Sequence, residues 1–237
     1  MADYDMTRGA EVALPSLADE RVRTFLRSVY GWMCIGLAIT AVTAMFVAST
    51  PALITAIATN KILFWGIVIA QFGIVFVLSA RVQTLAPSTA SMLFVAYSAL
   101  TGLTLSFVLV MFTGESVAST FLVSAGMFGA TAVYGSTTKR SLSGFGQFLF
   151  MGLIGLLLAT FVGMFWHNDG LQFMISIVGV FIFTGLAAYD AQRLKQMALA
   201  LPAGQIGSAS VVGALSLYLD FINLFLMLLR FMGNRRD

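Results

Sequence analysis

The chain has 237 residues, is 59% hydrophobic and only 10% charged, and carries a formal net charge of +3. A mean hydropathy of +0.94 is more apolar surface than a water-soluble fold can hide, so a soluble enzyme or a nucleic-acid-binding domain is excluded and an all-α polytopic membrane protein is expected. The one cysteine, Cys34, sits inside an apolar run; it rules out an intramolecular disulfide and a cysteine zinc site, and reads as a helix-packing residue.

Residues 1–27 carry mixed charges without an apolar core, which predicts a solvated cytoplasmic tail and no cleavable signal peptide. A transmembrane domain of seven helices is expected over 28–237. Its apolar segments fall at about 28–49, 62–80, 88–112, 116–136, 146–166, 171–190 and 210–232, each close to or above the roughly 20 residues that a spanning helix needs. The connections at 113–115 and 167–170 are very short, which predicts two tight antiparallel hairpins. Small residues are expected to let backbones approach: Gly31 and Gly36 on the first segment, Gly126 and Gly129 on the fourth, and Gly155, Ala159 and Gly163 on the fifth.

Basic residues set the orientation. Arg8, Arg21, Arg23 and Arg27 precede the first segment, Lys139 and Arg140 lie in the fourth connection, and Arg193 and Lys195 in the sixth. The first, third and fifth connections hold only Lys61. The N-terminus is therefore expected in the cytoplasm. Seven full crossings would place Arg230, Arg235 and Arg236 outside, against the same rule, which leaves open whether the last helix crosses completely.

The last segment holds Asp220 near its middle, about ten residues or roughly 15 Å from either end. An ionised group at the bilayer centre costs at least about 2.5–3.5 kcal/mol. Ser216, Asp220 and Asn223 recur at i, i+4 and i+7 and form one polar stripe, extended by Gly213. A helix with such a seam belongs among other helices.

Of the ten acidic residues, Asp3, Asp5, Glu11, Asp19 and Glu20 lie in the tail, Glu115 and Asp169 in short loops, and Asp237 at the end. Only Asp190 and Asp220 belong to apolar segments. Asp190 is read as ending the sixth helix, where a pair with Arg193 would account for it alone. Two carboxylates in one site cannot both ionise cheaply, so they share a proton and sense pH; deprotonated, they offer oxygens to a hard cation such as calcium. With Asp190 at a helix end, the pairing requires a central last helix that spans incompletely. Arg81 ends the second helix on the same side. It either snorkels to the headgroups or serves as a gating latch on an ionised aspartate, released by acid.

These residues carry a resemblance. GALSLYLDFINLFLMLLRFMGNRRD at the C-terminus closely resembles the signature of the Bax-inhibitor-type (transmembrane Bax-inhibitor-motif) family, and of its bacterial members in particular; YDAQRLK resembles that family's other acidic motif. The likeness implies seven helices with the last surrounded by the other six. It also implies a pH-dependent calcium leak governed by paired aspartates, which map to Asp190 and Asp220, with the second-helix arginine at Arg81 by position. Some members carry a glutamate inside the second helix, where this chain has Gln71.

Three functions compete. The first is a pH-sensitive calcium leak channel or exchanger of a bacterial inner membrane, with Asp190 and Asp220 as pH sensor and ion ligands, Arg81 as latch, and Ser216 and Asn223 as the supporting polar face. Calcium is then the transported ion, with no cofactor. The second is an interaction protein that restrains a membrane protease or stress and cell-death machinery. The third, an intramembrane aspartyl protease, lacks the Gly-x-Gly-Asp and Pro-Ala-Leu motifs of presenilin-type enzymes, so no enzyme is expected.

Overall fold

A computed structural model describes residues 3–82, 84–166, 168–202 and 205–236, with side chains from Ala18 onward except Met164. His167, Asp237 and the side chains of Asp3, Asp5, Arg8 and Glu11 lie outside the described residues. Eight helices are described: α1 (Asp3–Ala48), α2 (Pro51–Thr59), α3 (Lys61–Ala80), α4 (Pro87–Met111), α5 (Gly114–Thr137), α6 (Ser143–Phe165), α7 (Asp169–Ala200) and α8 (Ile206–Met232). All but α2 are long and apolar enough to cross a membrane, and the chain is an all-α polytopic membrane protein. Local chemistry starts the helices where they start. Asn60, Thr113 and Asn168 accept backbone N–H groups at the heads of α3, α5 and α7, while Pro51 and Pro87 open α2 and α4.

The last helix is the centre of the bundle. Within the apolar span of α8, 72% of residues are buried, against 11% in α3 and 17% in α6. Around it stand α1, α4, α5 and α7, while α3 leans chiefly on α4 and α6 on α7. The closest approaches are made by glycines. A Cβ at Gly135 of α5 would strike the Ala188 carbonyl of α7, one at Gly146 of α6 would strike the Tyr189 ring, and one at Gly213 of α8 would meet Leu194 at 2.5 Å.

Several expectations change. The tail does not extend to residue 27: α1 runs continuously through it, and Phe25 is 1% exposed in the core, because the apolar face of the first span begins before Ser28. Cys34 faces outward rather than into a packing interface. Gly31, Gly126, Gly129 and Gly155 have no neighbouring helix against them, whereas Gly36 and Gly163 meet Phe94 and Gln172. The connection at 167–170 does join two packed helices, α6 and α7. That at 113–115 does not: α4 packs on α1 and α5 on α7 and α8, so the two splay apart around α8.

Asp190 does not end its helix. The 32-residue α7 continues through residues 191–200, about 15 Å beyond the aspartate at about 1.5 Å per residue. From the start of α8 to Asp220 is about 21 Å on the same rise. The two carboxylates therefore stand about one helical turn apart in depth, and the last helix need not stop short for them to meet. Beyond Asp220 the helix has 12 residues, or about 18 Å, and the chain continues from Gly233 as an extended tail. The tail is held by Thr113 N–H donating to Asn234 O at 3.0 Å, Arg236 N–H to Met111 O at 2.9 Å, and Asn234 N–H to Ser116 Oγ at 2.9 Å. The C-terminus thus shares an end of the bundle with the α4–α5 turn.

Candidate functional site

A cleft of about 740 Å³ opens beside α8, with α3 and α4 on one side and α6 and α7 on the other. Asp190, Asp220, Ser216 and Asn223 all line it, so the sequence-derived pair and its polar stripe form one wall. Asp220 is 7% exposed, and its Oδ2 is wholly buried without a hydrogen-bond partner. Asp190 is half-buried, lies within electrostatic reach of Asp220 and of Arg193, and shares the cleft with both. An unpartnered buried oxygen costs about 1–3 kcal/mol even when neutral. Here the cost falls on an atom beside a second carboxylate, at a cleft wide enough for water or an ion.

The surrounding helices aim Asp220 into that space. On α8, Tyr218 is fully buried, its hydroxyl 2.6 Å from Thr40 Oγ1 of α1, which donates to the Ser98 carbonyl of α4 at 2.8 Å. Tyr97 and Phe94 pack edge-on against its ring, with centroids 5.8 and 5.7 Å away. These contacts fix the rotation of α8 about its axis. Two residues on, Asp220 points elsewhere, and the Asn223 amide donates back to Leu219 O at 2.8 Å.

Asp190 is fixed from the other side. The Gln192 amide spans the α5–α6 connection, donating to Arg140 O and accepting from Leu142 N–H, both at 2.8 Å. Lys195 Nζ donates to Ser136 O at 2.9 Å. Together with the Gly135 and Gly146 contacts, these hold the α7 segment that bears Asp190 against two helices.

Arg81 is not brought to the pair. It caps the C-terminal end of α3, is exposed, does not line the cleft, and makes no ion pair with either aspartate among the described residues. The cation that lines the cleft is Arg193. Residues to which sequence reasoning gave no role also line it: Gln71 of α3, whose amide lies 3.4 Å from Thr104 Oγ1, and Gln147 of α6. Gln71 stood out in the sequence as a polar residue inside the most hydrophobic span, in the helix where some members of the resembled family carry a glutamate. No group of three or more His, Cys, Asp or Glu side chains gathers among the described residues. A calcium ion, which takes six to eight oxygens, would draw on both carboxylates and on the hydroxyl, amide and water oxygens of the cleft.

Comparison with known proteins agrees with the layout. Residues 22–237 match the family described as inhibitor of apoptosis-promoting Bax1. The chain is 49% identical over 218 residues to "Inner membrane protein YbhL" of Escherichia coli K12, covering 91% of this chain and 93% of that protein. It is 44% identical over 215 residues to an uncharacterized protein of Borreliella burgdorferi, covering 90% and 93% of the two chains.

Proposed function

The chain belongs to the Bax-inhibitor family of membrane proteins, and on that footing we propose that it is a pH-sensitive calcium leak channel or exchanger of the inner membrane, with its N-terminus in the cytoplasm. The observation that carries this reading is the unpartnered, buried Oδ2 of Asp220, a residue of the central helix that lines a cleft shared with Asp190. A buried carboxylate kept for structure alone would have its oxygens satisfied. Intramembrane acids that face a cavity mark ion or proton pathways. The YbhL protein of E. coli is named as an inner membrane protein, which supports the location.

In this reading the pair carries one proton when no cation is bound, because two charges so close cannot both be held in a poorly hydrated site. A divalent cation entering the cleft displaces that proton and joins both carboxylates. Arg193 lines the same cleft and supplies its positive charge. Ser216 and Asn223 supply further oxygens along the same wall. Arg81 is left as an anchor at the end of α3, and the latch assigned to it is not carried forward.

The test is calcium uptake into liposomes that contain only the purified protein. Uptake that depends on pH around neutrality and is lost on Asp190→Asn or Asp220→Asn supports the proposal. A folded protein without flux refutes it and turns the reading to a protein that restrains a membrane partner.

A further inference from the structure

The face of α8 that looks away from Asp220 borders a second cavity, of about 780 Å³. It lies in the gap left where α4 and α5 splay, with α1 along one side and α8 as its floor. Ala41, Val108, Ala118, Phe121 and Phe225 are among its walls. The hydroxyl of Thr40, deep in the cavity, is already committed to Tyr218 and to the Ser98 carbonyl. A polar solute finds no partner there; a hydrocarbon chain does. The volume is that of a ligand site, roughly 300–1,000 Å³, and the cavity sits between helices already bathed in lipid.

One end is different. Arg236 lines the cavity at the end of the bundle where the C-terminal tail is tied to Met111 and Thr113. That tie fixes the backbone beneath the guanidinium at the mouth. Arg235 and Arg230 do not line the cavity, and Arg230 Nη1 donates to Gln172 Oε1 of α7 at 3.2 Å. The acidic residues at this end among those described are Glu115, in the first turn of α5, and Asp169, in the first turn of α7, both exposed. An apolar trough ending at a cation is complementary to a lipid with a negatively charged headgroup.

We propose that this groove binds an anionic phospholipid, with one acyl chain lying against α8 between α4 and α5 and the phosphate on Arg236. The lipid fills the gap between α4 and α5 and supports α8 from behind, across the helix from Asp220. It is a site separate from the ion cleft and does not depend on what that cleft transports.

Native mass spectrometry of the full chain, released from detergent in the presence of phosphatidylglycerol or of phosphatidylethanolamine with the same chains, tests it. One bound lipid is expected per chain, with phosphatidylglycerol retained about fivefold more, the effect of one basic residue near a lipid phosphate. Arg236→Gln should bring the two lipids to parity. Ala41→Trp and Ala118→Trp should lower retention of both, since these exposed alanines face the groove and a larger side chain there occupies it without entering the core. Equal retention by the native chain, a preference that survives Arg236→Gln, unchanged retention in both tryptophan variants, or a lipid-free dimer would each overturn the proposal.

Discussion

Gly135 and Gly129 lie six residues apart on α5, and substituting each by alanine should have opposite consequences. Nothing from another helix lies within 4 Å of a Cβ built at Gly129, whereas one at Gly135 collides with the Ala188 carbonyl. Replacing glycine by alanine inside a helix gains roughly 0.5–1 kcal/mol of backbone stability, and both variants share that gain. Gly135→Ala must in addition push apart two packed helices, and overpacking of this kind costs about 1–3 kcal/mol. The upper part of that range applies, because the atom met is a backbone carbonyl that cannot rotate away. At about 2–4 °C per kcal/mol for a chain of this size, Gly135→Ala should melt roughly 4–12 °C below Gly129→Ala. Thermal unfolding in detergent, followed by tryptophan fluorescence, reads the difference. Ala188 is two residues from Asp190, so Gly135→Ala should also impair any transport that uses Asp190, while Gly129→Ala leaves it intact. Equal melting of the two variants would refute the close α5–α7 approach and, with it, the placement of Asp190.

Asp220→Asn should flatten the pH response of calcium uptake around neutrality, and Asp190→Asn should do the same; an unchanged midpoint in both would show that the pair is not the sensor. Arg193→Gln should shift that pH profile while Arg81→Ala leaves it in place, the reverse result restoring the latch at the end of α3. Single cysteines at Glu115, Asp169 and Asn234, introduced after Cys34→Ser, should label from one face of the membrane and a cysteine at Lys139 from the other. Labelling of Asn234 together with Lys139 would overturn the tie between the C-terminal tail and the α4–α5 turn.

The spans were legible because roughly 20-residue apolar runs admit one reading in a membrane, and every one of the seven was placed within a few residues except at two ends. α1 starts earlier and α7 ends later than hydropathy suggests. In both cases a segment bearing charges, Arg21 through Arg27 or Gln192 through Lys195, continues the helix, because hydropathy falls there but helix hydrogen bonding does not. That extension of α7 removed the depth conflict between Asp190 and Asp220. The two aspartates could be found because acids are rare in such segments. Arg81 stayed open between headgroup anchor and latch because a charge at a helix end says nothing of which neighbour it faces; α3 leans on α4, and Arg81 does not line the cleft. The packing glycines could not be sorted by spacing either, since Gly129 and Gly135 differ only in whether α7 lies over them.

The most enclosed helix is also the last to be made. At about 5–20 residues per second, the 32 residues after Gln205 take roughly 2–6 s to synthesise, and through that time the six earlier spans are in the bilayer without their axis. Phe94, Phe128 and Val29 wait for Tyr218, Phe221 and Gly213 to arrive between them. The nascent protein is thus an unfinished ring whose inner surfaces are open to chaperones, insertases and proteases until the ribosome finishes. A message truncated just before Ile206 yields six spans with no shared core, a product that quality control has reason to remove.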